Sequence, residues 1–184
     1  MTPLPWPRTQ KNFALAKQSK MELSPKGKKF RDRIDNWFLF NIFLLIQLPL
    51  AWIAGSRVKR IDPEGCAISM PYGWRNQNPF QSMYFAAQSM SAEMSTGMLC
   101  MLAIENSGEN IAMLVSHNKA EFTKKTNGHV TFTCNDGQKM FDAVAETCRT
   151  GEPVLVEMKT VGVMDNGVEV SNFSFTWTVK KRSK

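Results

Sequence analysis

Hydrophobic positions along the chain change period several times, and each change marks an element. Residues 37–55 read WFLFNIFLLIQLPLAWIAG, without a charge. A helix apolar on every side suits a buried site or lipid. Asn41 and Gln47 interrupt the run and Pro49 stands near its end. The pattern therefore predicts one buried or groove-capping helix, from about Pro25 to a break at Pro49, in preference to a membrane span. Short strands follow over residues 58–61 and 66–72, with a turn at 62–65 between them and a loop over 73–78. Asn78-Pro79 then reads as a helix start, with Asn as N-cap and Pro at the first helical position, and the helix should reach about Met101. Along it Met83, Ala87, Met90, Met94 and Met98 fall at spacings of 4, 3, 4 and 4, one apolar stripe that reads as core.

Beyond a loop at 105–110, residues 111–124 predict a long strand and 129–134 a second, either side of a turn at 126–128. Asp136 can cap a helix whose Met140, Phe141, Val144, Ala145 and Cys148 share a face and which Gly151 ends. A strand over 154–163 leads to Asn166-Gly167, a strong hairpin turn. In the last strand Phe173, Phe175, Trp177 and Val179 alternate with Ser174, Thr176 and Thr178. The sum is α+β: a largely antiparallel sheet packed on one buried helix.

The opposite face of that central helix carries Ser82, Ala86, Ser89, Glu93 and Thr96, and Glu93 is the one charge between Gln77 and Met101. A carboxylate in such surroundings needs water, a partner or a ligand, because burying it alone is costly.

Composition narrows the class. At 184 residues, with 43% hydrophobic and 21% charged residues, the chain can build one core and is neither disordered nor collagen-like. Its four cysteines (66, 100, 134, 148) include no C-x-x-C pair, and two histidines do not make up a zinc site. This predicts a reduced, cytoplasmic protein without metal or cofactor. Net charge is +7, and residues 1–33, with nine Lys/Arg and two Asp/Glu, carry all of it. The remainder is neutral, which ranks nucleic acid last among partners. With Pro3, Pro5, Pro7 and Pro25 the start reads as a flexible basic arm over 1–24, leaving 25–184 as one domain. The basic tail at 180–184 reads as frayed. Peripheral membrane contact through the apolar helix and the arm stays open.

Residues 71–80 (PYGWRNQNPF), 82–87 (SMYFAA) and 92–97 (AEMSTG) carry a resemblance. The chain resembles an uncharacterised branch of the hotdog-fold thioesterase superfamily, akin to acyl-CoA thioesterases of the phenylacetate-pathway type, over roughly residues 30–180. The resemblance implies a curved antiparallel sheet wrapped around a central helix, with the N-terminal apolar helix as an addition. It also implies a homodimer or dimer of dimers with sites at the interface. In better-known relatives His-Gly-Gly opens the central helix, and an acid eight residues after the His is general base or nucleophile. Here Phe85 stands eight residues before Glu93, followed by Ala86-Ala87. The resemblance thus implies Glu93 as the catalytic group and backbone N–H groups near Phe85, Ala86 and Ala87 as the oxyanion site. Asn76, Asn78, Ser82 and Ser89 would line the substrate, an acyl-CoA or other acyl thioester, whose chain would follow the Met- and Ala-rich helix face. Lys119, Lys124 or Lys125 could attract its phosphates. Because Phe85 offers no hydrogen bond, a second reading is a fatty acyl or lipid binder that does not cleave. A third is a membrane-peripheral scaffold resting on residues 1–55.

Overall fold

Ser24 opens the structure's first helix: its Oγ accepts from the Gly27 N–H at 3.2 Å, and Pro25 takes the first helical position. The computed structural model describes residues 21–183, so the expectations for Pro3, Pro5 and Pro7 lie outside the described residues. The anticipated single N-terminal helix is three: α1 (Pro25–Asp35), α2 (Trp37–Gln47) and α3 (Pro49–Ala54). Asn36 divides the first two, its extended backbone ending α1 while its Oδ1 caps α2 by accepting from the Leu39 N–H. Leu48, held off helical geometry ahead of Pro49, divides the others. Nor is this segment buried. Phe40 and Leu44 reach the core, but Trp37, Phe38, Ile42, Leu45, Ile46, Leu50 and Ile53 face outward. The run is apolar on all sides, yet the domain covers only one of them.

Strands β1 (Arg57–Ile61) and β2 (Cys66–Met70) form the first hairpin, closed by Asp62 Oδ1, which accepts from the Glu64 and Gly65 N–H groups. The central helix, α4, spans Phe85–Ser107, a later start and later end than the pattern predicts. Asn78 does cap, but it caps a turn. Its Oδ1 accepts from the N–H groups of Phe80 and Ser82, and its own N–H donates to the Ser82 carbonyl. An Asn side chain bonded to the backbone just ahead competes with helix, and the chain doubles back before Tyr84 admits it to α4. At the far end residues 105–107 are helical, not loop, and Gly108 stops the helix in a left-handed conformation, φ 71°.

The remaining elements are β3 (Ile111–Phe122), β4 (Val130–Cys134), α5 (Gly137–Thr150), β5 (Val154–Met164) and β6 (Glu169–Lys181). All pairings are antiparallel, in the order β1-β2-β4-β5-β6-β3. The carboxy-terminal basic residues do not simply fray. Lys180 and Lys181 belong to β6, Lys181 pairs with Glu109, and the Arg182 N–H donates to the Asn110 carbonyl. The predicted alternation in β6 holds: Phe173, Phe175, Trp177 and Val179 are buried. They meet Met94, Met98, Leu99 and Leu102 of α4 in one core with Phe132 and Met158. Polar side chains of α4 inside this core are matched: Ser95 with Thr160 at 2.7 Å, Ser91 with Ser56 at 2.9 Å.

Candidate active site

The expected site residues fall into two clusters along α4. Glu93 belongs to the first. It is half-buried, and among the described residues it has no hydrogen-bond or ion-pair partner for its carboxylate. Desolvation pushes its carboxyl above the ordinary value of 4.5. Gly97, one turn on, makes room for it: a Cβ there would lie 3.2 Å from the Glu93 Oε1 and 3.4 Å from the Trp177 ring. The indole is fixed in turn, its Nε1 donating to Thr96 Oγ1 at 2.9 Å, while Thr96 donates to the Glu93 carbonyl at 2.8 Å. Cys100 lies on the same side, and burial, followed by the Glu93 charge, pushes its thiol up to about 12. At neutral pH it stays protonated and a poor nucleophile.

The second cluster surrounds the start of α4. Tyr84 supplies no side-chain cap, so the Phe85 and Ala86 N–H groups point out of the first turn as donors. The Ala87 N–H is already taken by the Tyr84 carbonyl at 3.0 Å, which removes Ala87 from the expected oxyanion set. Phe85 is 55% exposed and meets Tyr84 and Phe122 edge-on, with ring centroids 4.8 and 6.2 Å apart. A groove beside it is lined by Asn78, Phe80, Ser82, Phe85, Phe122 and Lys124, with Gln88 at its base. Gln88, which the sequence reading passed over, is buried. Its Nε2 donates to the Met83 carbonyl at 3.3 Å, and its Oε1 has no partner among the described residues. The signal for it was spacing alone: it lies three residues beyond Phe85, hence beside it on the helix.

Several expected ligand contacts are engaged elsewhere. Asn76 is buried and wholly bonded: Oδ1 accepts from the Gly73 N–H, and Nδ2 donates to the Ala54 and Pro71 carbonyls. It ties the end of α3 to the end of β2. Ser82 Oγ donates to the Thr126 carbonyl and accepts from its N–H. Ser89 Oγ donates to the Phe85 carbonyl at 2.9 Å. Asn78 keeps its Nδ2 without a partner among the described residues, and Ala86 is exposed. The Met stripe offers an acyl chain no room, because Met83, Met94 and Met98 are buried in the core. Lys119 pairs with Glu121 at 2.8 Å, and Lys124 alone of the three lysines borders the groove. Among the described residues no group of His, Cys, Asp and Glu could hold a metal.

Eight residues of α-helix separate Glu93 from Phe85, a rise of about 12 Å. A carboxylate and an oxyanion site must both approach one reacting carbon to about 3 Å. Within one chain the two clusters are offset along the helix axis.

A family model described as a domain of unknown function, DUF4442, matches residues 37–179. No curated protein matches the chain. Among solved structures, the chain is similar to a protein of unknown function from Chlorobaculum tepidum at TM-score 0.68 and 14% identity, covering 85% of this chain and 94% of that one. A Pseudomonas aeruginosa protein called a probable thioesterase matches at TM-score 0.65 and 16% identity, over 84% of this chain and 95% of that one. A Haemophilus influenzae thioesterase matches at TM-score 0.58 and 10% identity, over 79% and 91%. At such identities the likeness concerns the fold, and it is the hotdog fold: an antiparallel sheet around a long central helix.

Proposed function

We propose, from the premise that this chain belongs to the DUF4442 family, that it hydrolyses an acyl thioester of the acyl-CoA kind at a site shared by two copies. The observation that carries this is Glu93, a half-buried and unpartnered carboxylate on an otherwise uncharged helix face. Thioesterases among the structural neighbours support the reaction class. The 12 Å offset along α4 supports sharing: one copy supplies Glu93, the other the opening of its helix.

In the general-base form of the reaction, Glu93 takes a proton from water and the hydroxide attacks the thioester carbon. The carbonyl oxygen gains the negative charge and is held by the Phe85 and Ala86 N–H groups of the other copy. Collapse expels the thiolate, which recovers the proton from Glu93. In the covalent form Glu93 itself attacks and water releases the acyl group afterwards. A raised carboxyl pKa favours the first, since a stronger base removes the proton more readily. The acyl chain would rest on Phe80, Phe85 and Phe122, and Lys124 and the Asn78 amide would meet the polar part of the substrate.

The test is free-thiol release across a panel of acyl-CoA chain lengths, with wild type against Glu93→Gln. We expect a loss of roughly 10²- to 10⁴-fold with acyl binding retained. Wild type that binds acyl-CoA and releases no thiol would leave the second reading, a binder that does not cleave, which Phe85 at the helix opening favours. We further read the protein as cytoplasmic and residues 25–184 as one domain, on which the last residues of the arm also pack. Leu23 is buried, and Ser24 donates through its N–H to Asn106 Oδ1.

A further inference from the structure

We propose that α1, α2 and α3 form a docking surface for an anionic lipid bilayer, on which the protein lies without spanning it. The exposed side chains of α2 and α3 are apolar except at Gln47. Trp37, Ile46 and Leu50 are 63, 68 and 72% exposed, and Phe38, Ile42 and Ile53 extend the same face. A soluble surface seldom leaves so many large apolar side chains together unless something covers them. No charge occurs between Asn36 and Ser56.

Several polar groups of this stretch are satisfied internally, which suits an apolar environment, whereas the Gln47 side chain is exposed and has no partner among the described residues. Asn36 caps the start of α2, the Leu48 N–H donates to the Leu44 carbonyl, and Pro49 brings no N–H to the junction. Asn41, the polar interruption, folds its Nδ2 back onto the Trp37 carbonyl at 2.8 Å.

Charge identifies the occupant. Cations flank the apolar stretch on both sides: Lys26, Lys28, Lys29, Arg31 and Arg33 on α1, Arg57, Lys59 and Arg60 on β1. Only Asp32 and Asp35 oppose them within α1 to β1. Glu22 pairs with Lys28, Asp32 with Arg31 and Asp62 with Arg60, while Lys26, Lys29, Arg33, Arg57 and Lys59 have no ion-pair partner among the described residues. Lys28, Lys29 and Arg33 share a surface groove with Leu39, so cations and the apolar helix meet directly. An apolar face bordered by Lys and Arg, with Trp37 and Trp52 on it, matches an anionic headgroup layer above acyl chains. A second copy docked face to face would set this basic rim against itself, and residues 62–184, with eleven Lys/Arg and thirteen Asp/Glu, offer little acidic excess to match it. Length decides lying over spanning: α2, with eleven residues, rises about 16 Å against a hydrocarbon core of about 30 Å. Among the described residues no helix is long and apolar enough to cross a membrane.

The test is cosedimentation of the full chain with phosphatidylcholine vesicles, with and without phosphatidylglycerol, and it needs no catalytic activity. We expect binding to the anionic vesicles, weakened by salt, with tryptophan emission quenched by lipids brominated on the acyl chains. Replacing Trp37 and Trp52 by Phe should remove that quenching. The variant Ile46→Glu/Leu50→Glu/Ile53→Glu changes only exposed side chains and should cut partitioning at least about tenfold, with its melting temperature as the check on folding. Lys28→Glu/Lys29→Glu/Arg33→Glu should weaken binding to the anionic vesicles. Wild type left in the supernatant with every vesicle overturns the proposal, as does undiminished binding by the apolar-face variant. A change of oligomeric mass in that variant, without vesicle binding by wild type, assigns the face to a second copy instead.

Discussion

Glu93 and Phe85 occupy the same helix and pose different physical problems. Burial raises the Glu93 carboxyl pKa, and no described partner offsets it. The folded state therefore holds this proton more tightly than the unfolded chain does. Stability from this group is fully present below the unfolded value of 4.5 and is lost as pH rises through the higher folded value. Melting curves should accordingly show wild type losing stability relative to Glu93→Gln as pH climbs above 4.5, with a constant difference once the carboxyl is ionised in both states. A pH-independent difference would mean that Glu93 is solvated after all. Phe85 is the opposite case, an exposed apolar ring at a helix opening. Phe85→His should cost no more than about 1 kcal/mol of edge-on aromatic contact, yet raise thiol release, because imidazole can donate to the substrate carbonyl. The gain should vanish in the Glu93→Gln background.

At the scale of the element, α4 combines core residues with the candidate site. Its Met stripe is largely buried in the core, as its spacing predicts, and a second strip holds Glu93, Thr96 and Gly97 against Trp177 of β6. Gly97 is the sensitive point. Ala for Gly inside a helix ordinarily gains about 1 kcal/mol. Here the added Cβ would press on the carboxylate oxygen at 3.2 Å and the indole at 3.4 Å. Gly97→Ala should therefore show little or no rise in melting temperature while lowering thiol release, since the carboxylate must turn away. A stabilised and fully active variant would mean that Glu93 has freedom to spare. The start of α4 was misplaced by the sequence pattern for a local reason. Asn-Pro signals a first turn, but it does not say whether the turn continues, and the Asn78 bonds to Phe80 and Ser82 close it.

For the whole molecule, the 12 Å between the two clusters is the controlling quantity. If two copies share the site, chains lacking different halves should rescue each other. Phe85→Pro removes one helix-opening N–H, and Tyr84 already has the extended backbone that precedes proline, φ −61° and ψ 133°. Phe85→Pro and Glu93→Gln should each be inactive alone and regain thiol release when co-expressed. An active wild type without such rescue would place both halves of the site in one copy.

The strands were legible in the sequence because period-two alternation has one solution when a face is buried: Phe173, Phe175, Trp177 and Val179 had to point inward together. Glu93 stood out in the sequence as the one charge between Gln77 and Met101, and the fold leaves it half-buried without a partner among the described residues. The fate of polar side chains was not legible. Asn76, Ser82 and Ser89 looked available in sequence, and each is bonded to backbone that only the folded chain brings near, Ala54 and Thr126 among it. Nor does periodicity reveal what covers an apolar helix. Residues 37–53 had the composition of a buried element, and tertiary packing left most of that surface facing out. Local spacing determines which side chains share a face, because helix and strand geometry are local. Whether that face meets core, substrate, lipid or water depends on distant parts of the chain, and only the tertiary structure decides it.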